Sequence, residues 1–386
     1  MDTLSNRAEA QKIAQLLDVL PEQLEFLHGL PAEDVRQLRA RTVDALFDDV
    51  PDMLDRIAAA TKLVPAGVAA AISQKALGPR LAASVAGRLD PGRAADIIEK
   101  LPVAFTAESC GHLDPRRIGG IVDRLDEDLV VRIAVALAER GDHLTMGRFV
   151  GHLRDRALER ILRSVDDEVV LRVGFFIDMP ERLDAILELM GEERLTSVVA
   201  AAGNGLWPEA LAVAGLAGTE RRAKVATLAA RQDPVRLDGL VRTVHEQGLW
   251  ESLLPLVALL SEEDRRAVAA LPSLRDAQVL GAVVRAVVAT GLWAEFLPLV
   301  GALPAESRKV VADTAGALPD AELDAMVLEV EKQDLWDAVL PLVEMMDEPA
   351  KVRVFALPAF QGQGEREREG RGRGRGRSPG RSRTGG

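Results

Sequence analysis

Residues 249–293 read LWESLLPLVALLSEEDRRAVAALPSLRDAQVLGAVVRAVVATGLW and contain one full repeat of the chain. The stretch begins and ends on the dipeptide Leu-Trp, and its two tryptophans are 43 residues apart. Between them, apolar residues recur every three or four positions, which is typical of amphipathic helices. The stretch therefore predicts roughly three short helices in each unit of 43 residues.

The same unit occurs four times along the chain. Each tryptophan follows a leucine, lies 43 residues from the next tryptophan and is followed four positions later by another leucine. The last three copies continue with a proline, which fits a helix in its first turn or at a kink. A period near 43 residues is typical of HEAT and armadillo-like helical repeats. A large apolar residue at the same position of every repeat is expected to lie in the core between units. We predict this role for the four tryptophans: Trp207, Trp250, Trp293 and Trp336.

Two features of the repeats have a second interpretation. The tryptophans could instead form an exposed row that binds a ligand. A basic residue also recurs fifteen positions after each tryptophan, and these residues could line an anion-binding groove: Arg222, Arg265, Arg308 and Lys351.

Because the fourth unit stops soon after Leu357, we further predict that its last apolar residues fold back as a cap or join a second protomer: Val354, Phe355, Leu357 and Phe360.

The chain before residue 200 is periodic in another way. LDPGRAADIIEKL begins at Leu89 and LDPRRIGGIVDRL at Leu113, while LDEDLVVRIAV from Leu125 is echoed by VDDEVVLRVGF from Val165. In each case an aspartate precedes an apolar-periodic run, which predicts an N-cap followed by a short helix. These units resemble the cytosolic N-terminal superhelical domain of MgtE-type magnesium transporters over about residues 85–190.

The resemblance implies a stack of short helices, but it does not imply transport. MgtE-type transporters continue into CBS domains and a helical channel, and this sequence has neither a membrane-span pattern nor a βαβ pattern. Magnesium sensing in that family depends on acidic side chains that face the CBS domains. We therefore interpret the corresponding acidic residues as helix caps or solvated side chains: Asp90, Asp96, Asp114 and Asp126.

Together these patterns predict an all-α fold, a superhelical solenoid of short helices with a disordered C-terminal tail. We divide the chain into N-terminal helices (1–60), an MgtE-N-like helical array (61–200), four 43-residue repeats (201–360) and an Arg/Gly-rich tail (361–386). The tail carries eight Arg and three Glu, for a charge of +5, whereas the other 360 residues carry −17. Its arginines are candidate nucleic-acid contacts: Arg371, Arg373, Arg375, Arg377, Arg381 and Arg383.

Catalytic and metal-binding patterns are weak. The single cysteine, Cys110, cannot form an internal disulfide, and Cys110 and His112 would point to different sides of a helix. The five histidines show no i, i+4 pair, and no phosphate-binding glycine loop is present. We therefore predict no catalytic residue, no metal site and no cofactor, and we expect that the protein is not an enzyme.

Composition then narrows the function classes. Absence of a signal pattern and of an apolar run long enough to span a bilayer predicts a cytoplasmic protein. Arg outnumbers Lys 40 to 8, which is typical of a GC-rich bacterial genome. The favoured function is a non-catalytic scaffold or regulatory protein that binds an unknown macromolecular partner along its repeats, with homo-oligomerisation possible. Two alternatives stay open, a nucleic-acid-associated protein that uses the basic tail and an orphan magnesium-responsive module.

Overall fold

A computed structural model describes residues 3–48, 51–61 and 63–357 of the chain. These residues form an all-α helical-repeat fold, without a strand in the ranges described, so the predicted fold class is confirmed. They divide into two compact units. The first unit ends at Thr243 and the second begins at Val244. Residues 361–386, the predicted tail, lie outside the described residues.

The chain begins with three helices: α1 (Thr3–Leu17), α2 (Ala32–Asp48) and α3 (Pro51–Thr61). A 3₁₀ segment, Pro21–Gly29, connects α1 to α2. The side-chain amide of Asn6 donates to the carbonyl oxygens of Leu27 at 3.1 Å and Leu30 at 2.6 Å, which holds this connection against α1. Because Asn6 is buried, these bonds also offset part of the cost of removing its amide from water.

Ten helices follow in the first unit: α4 (Ala66–Ile72), α5 (Gly78–Ala86), α6 (Pro91–Ile98), α7 (Val103–Cys110), α8 (Pro115–Val122), α9 (Glu127–Glu139), α10 (His143–Val150), α11 (Asp155–Ser164), α12 (Asp167–Phe175) and α13 (Leu183–Ala201), which is kinked at Gly191. The predicted caps of α6, α8 and α9 are confirmed, since the carboxylates of Asp90, Asp114 and Asp126 accept hydrogen bonds from first-turn amides. Asp166 occupies the same position before α12, but its side chain makes no capping bond.

Arginines connect these helices through backbone carbonyls. Arg182 donates to the carbonyl oxygen of Leu153 at 3.3 Å, and Arg194 donates to that of Val165 at 2.6 Å. In both cases the acceptor lies 29 residues earlier, in the turn between two helices. An aspartate two positions beyond the acceptor pairs with the same arginine: Asp155 with Arg182 at 2.7 Å, and Asp167 with Arg194 at 2.9 Å. The bonds satisfy carbonyls in the turns between helices, where no intrahelical partner is available.

Eleven helices make up the tryptophan repeats: α14 (Trp207–Leu216), α15 (Thr219–Ala230), α16 (Pro234–Gln247), α17 (Trp250–Ala258), α18 (Glu262–Ala269), α19 (Ala277–Thr290), α20 (Trp293–Ala302), α21 (Ala305–Gly316), α22 (Asp320–Lys332), α23 (Trp336–Met345) and α24 (Glu348–Ala356). Each tryptophan is the first residue of its helix, and each complete 43-residue period contains three helices, as predicted.

The repeats contain a serine cap and three prolines inside helices. Ser261 caps α18, with its hydroxyl oxygen accepting from the amide of Asp264 at 3.1 Å. The prolines do not occupy the first turn of their helices. Pro255, Pro298 and Pro341 lie inside α17, α20 and α23, five residues after the tryptophan that opens each helix. Because proline has no backbone N–H, each of them removes one helical hydrogen bond from the second turn.

Candidate functional site

The four tryptophans have two different environments. Trp207, Trp250 and Trp293 are 3–4% exposed, whereas Trp336 is only half-buried. The leucine four positions later follows the same division. Leu211, Leu254 and Leu297 are 1–5% exposed, and the fourth copy, Leu340, is 41% exposed. The fourth repeat thus exposes Leu340, and part of Trp336, at positions that the other three repeats bury.

The packing of the second unit explains this difference. The second repeat is covered by α20 of the third repeat, which lies against both α17, which carries Leu254, and α18. The third repeat is covered in the same way by α23 of the fourth repeat, which contacts α20 and packs against α21. No further tryptophan helix follows α23 and α24 within the described residues. Leu340, on the side of α23 that corresponds to these covered surfaces, is exposed.

Phe355 extends this exposed side onto α24. It is 53% exposed, and the residues 43 and 86 positions earlier, Ala312 and Ala269, are almost fully buried in α21 and α18. We define the open face as Trp336, Leu340 and Phe355. Three of the residues that we predicted to cap the array or to join a second protomer can be located. Val354 and Leu357 are buried in the unit, whereas Phe355 is exposed. Phe360 lies outside the described residues.

Two further exposed residues of the fourth repeat are apolar where the preceding repeats carry cations. Leu328 on α22 corresponds to Arg285 on α19. Val352 on α24 corresponds to Lys309 on α21, and all four of these side chains are exposed. The sequence analysis missed Leu328 and Val352. Aligning the repeats position by position at the 43-residue period would have found both of them.

The fourth repeat is also strongly acidic. Residues 320–357 contain ten acidic and three basic side chains, for a charge of −7. The corresponding residues of the third repeat, 277–314, contain three of each and are neutral. Asp337 and Glu344 lie on α23 itself and are exposed. The open face is therefore an apolar surface on an acidic repeat.

The recurrent basic residues have mainly internal roles. Arg222 donates to the carbonyl oxygens of Gly215 at 2.8 Å and Ala217 at 2.9 Å, at the end of α14. Arg265 donates to that of Leu260 at 2.8 Å, just beyond α17. Lys351 pairs with Glu348 at 2.9 Å. The contacts of Arg222 and Arg265 satisfy backbone carbonyls at helix ends.

A buried ionic cluster in the first unit was missed by the sequence analysis. The Lys12 ammonium lies 2.9 Å from the Glu9 carboxylate and 2.6 Å from that of Asp178, while Arg39 pairs with the same two acids at 2.8 and 3.0 Å. Burial alone would raise the pKa of Asp178, but Lys12 and Arg39 hold it below its usual value. A carboxylate held ionised by two cations does not act as a general acid or base near neutral pH. The cluster attaches α1 and α2 to the turn after α12.

The thiol and imidazole groups do not form a catalytic pair. Cys110 is buried at the end of α7, and burial, with a contribution from Asp142, raises its pKa to about 12. His112 is exposed, and partial desolvation and nearby Arg80 lower its pKa. A protonated buried thiol next to an exposed imidazole lacks the contact that activates a nucleophile.

The other predicted residues have the following positions. Asp96 is exposed on α6, and no group of three or more His, Cys, Asp or Glu side chains in the described ranges is arranged to hold a metal ion. None of the helices described is long and apolar enough to cross a membrane. The tail arginines 371, 373, 375, 377, 381 and 383 lie outside the part of the chain that the structure describes.

Comparison with known proteins adds no assignment. No family model, no curated protein and no solved structure matches the chain.

Proposed function

We propose that this chain is a non-catalytic helical-repeat protein that binds a partner protein, and that the open face docks an amphipathic helix with cationic flanks. The observation that carries the proposal is the contrast between Leu340 and its equivalent Leu297, which are 41% and 5% exposed. The side chain is the same, and the difference is whether another helix covers it.

Apolar burial supplies the driving force. Fully burying a side chain such as Leu or Phe contributes about 1.5–3 kcal/mol. Leu340 and Phe355 are the two most exposed members of the open face, so a helix lying across α23 and α24 would gain most from covering them. The equivalent helix in the preceding repeat, α20 against α17 and α18, provides the template for this packing.

Charge distinguishes between possible occupants. A second copy of the chain would bring two repeats of −7 charge together, and like charges across an interface oppose association. A helix with Lys or Arg beside its apolar face would instead meet Asp337 and Glu344. Cationic flanks would therefore favour both encounter and orientation. A heterologous partner helix fits the open face better than self-association.

A peptide based on the sequence of α20 tests this proposal. Residues 292–303 read LWAEFLPLVGAL, and Ala294 and Gly301 are exposed positions of this stretch. A labelled peptide with Lys at both positions, LWKEFLPLVKAL, should bind the full chain saturably in fluorescence anisotropy. The matched peptide with Asp at both positions should bind at least about tenfold more weakly.

Protein variants locate the binding. The double variant Leu340→Asp, Phe355→Asp should lose at least about tenfold in affinity for the cationic peptide, since each change puts a charge in the apolar contact. Val235→Asp introduces the same kind of charge at an exposed apolar site on α16 and should bind as the native chain does. Equal binding of the two peptides, or unchanged binding by the double variant, would overturn the proposal. So would a dimeric mass in light scattering that the double variant abolishes, because the occupant would then be a second copy.

A further inference from the structure

The first unit contains an apolar cavity of about 180 Å³ that is partly open to solvent. Every helix from α5 to α15 contributes to its lining, from Ala86 at one end of the sequence range to Val225 at the other. Because helices that are consecutive along the chain line it in turn, the cavity extends along the stack and is not a compact pocket between two helices. Most pairs of well-packed helices leave voids no larger than a water molecule.

The lining is almost entirely aliphatic. Leu, Ile and Val side chains dominate it, with Phe149 as its aromatic member, and no charged side chain belongs to the lining within the described residues. Thr106 and Cys110 on α7 are the polar members. The Thr106 hydroxyl donates to the carbonyl oxygen of Pro102 at 3.3 Å, so its hydrogen is already used within the helix. Burial raises the pKa of the Cys110 thiol to about 12, which keeps it neutral.

This chemistry determines what the cavity can hold. Water needs polar partners inside a protein, and apolar cavities of comparable size, on the order of 150 Å³, stay dry and bind apolar molecules. A carboxylate or ammonium placed there would lose its hydration without gaining a partner. An extended apolar space matches an elongated apolar molecule better than a compact one. The occupant must therefore be neutral in its buried part.

We propose that this cavity is a binding site for a neutral aliphatic molecule, or for the hydrocarbon chain of a larger one whose polar end stays outside. The proposal is independent of the open face, because every lining residue belongs to the first unit. Binding would stabilise the folded state of the first unit through mass action.

The first test uses the unmodified full chain. The neutral dye N-phenyl-1-naphthylamine should bind saturably with a rise in fluorescence, and decane should displace it. Decanoate, which has the same chain length and a carboxylate, should displace it at least about tenfold less effectively, because its charge cannot enter the lining. Decane should also raise the Tm of the chain, and decanoate should not. An absence of saturable dye binding, or equal displacement by the two compounds, would overturn the proposal.

Filling the cavity provides the second test. Ala134 on α9 and Ala214 on α14 both belong to the lining, and Ala134→Leu with Ala214→Leu should lower dye affinity at least about tenfold without lowering Tm, since the added methyl groups enter empty space. Ala136→Leu, on α9 but outside the lining, is the matched control and should keep the native dye affinity.

The other possible results with these variants also test the cavity site. Unchanged dye binding by the filled variant contradicts the site, and so does a fall in Tm, because it means that no empty space was there. If the filled variant does not fold, the decane and decanoate comparison on the native chain decides alone. The variant Leu340→Asp, Phe355→Asp should bind the dye normally. Loss of dye binding in that variant would place the dye on the open face and contradict the cavity site, without bearing on partner binding.

Discussion

The third and fourth repeats share a sequence pattern and differ in what covers it. Trp293 and Leu297 open α20 and are buried, whereas Trp336 and Leu340 open α23 and are half-buried and exposed. The two helices carry the same Leu-Trp and Leu-Pro-Leu-Val pattern. Burial of a repeat position is therefore a property of the neighbouring helix, and the same residues that form a core in one unit form a surface in the next.

The fourth repeat also differs from the third in its exposed residues and in its net charge. Cations at two exposed positions of the third repeat, Arg285 and Lys309, are replaced by Leu328 and Val352 in the fourth. Residues 320–357 also carry −7 charge, against zero for residues 277–314. A terminal repeat that served only to end an array would gain from a polar outer side. The fourth repeat instead combines exposed apolar side chains with acidity, as expected of a surface that binds a cationic partner.

The largest expected difference between the two repeats comes from placing a charge at equivalent leucines. Leu297→Asp buries an unpaired carboxylate and should cost more than about 4 kcal/mol of unfolding free energy. Leu340→Asp places the same group where solvent reaches it and should cost less than about 2 kcal/mol, because much of the leucine is already exposed. Chemical denaturation followed by circular dichroism measures both. Similar costs for the two variants would mean that the fourth repeat is covered after all.

Truncating the tryptophans gives a smaller difference. Trp293→Ala empties a buried aromatic site and should cost about 3–5 kcal/mol. Trp336→Ala should cost less than about 2 kcal/mol, because part of its side chain is already in contact with water. Trp250→Ala is the control for a buried copy and should behave like Trp293→Ala. A ranking in which Trp336→Ala is the most damaging change would contradict the comparison.

The sequence predicted much of this architecture because the relevant signals are local. The tryptophan period and the apolar spacing predicted three helices per unit, and aspartates such as Asp90 marked helix starts. The exposure of Leu340 was not predictable from its own neighbourhood, since it depends on which helix covers α23. The ionic cluster was missed because Lys12 and Asp178 are 166 residues apart, and no local pattern pairs them. The cavity depends on side-chain packing across eleven helices, which no sequence pattern records.

Placing the cations of the third repeat at the equivalent positions of the fourth should make the surface of the fourth repeat less apolar without changing its stability. The double variant Leu328→Arg, Val352→Lys gives the fourth repeat the residues found at the equivalent exposed positions of the third. Its unfolding free energy should stay within about 0.5 kcal/mol of the native value, because both side chains remain at the surface. Retention on a phenyl hydrophobic-interaction column should fall. A loss of stability well above that range would show that these side chains support the fold.

The smallest expected effect concerns the tail. Its charge of +5 is opposite to that of the fourth repeat, so it can compete weakly with a cationic peptide for the acidic surface. A chain ending at Phe360 should therefore bind the peptide LWKEFLPLVKAL up to about threefold more tightly at low salt and equally at high salt. Weaker binding by the shortened chain would show that the tail contributes to the site.

Acrylamide quenching of tryptophan fluorescence tests the open face most directly. This neutral quencher should reach Trp336 and not the three buried tryptophans, so the native chain should show one quenchable fraction and a protected remainder. Trp336→Phe should remove the quenchable fraction, and Trp293→Phe should not. Saturating LWKEFLPLVKAL, prepared with Phe in place of Trp to remove its own fluorescence, should protect Trp336 in the native chain. Uniform quenching of all four tryptophans, a quenchable fraction that survives Trp336→Phe, or no protection by the bound peptide would contradict the account.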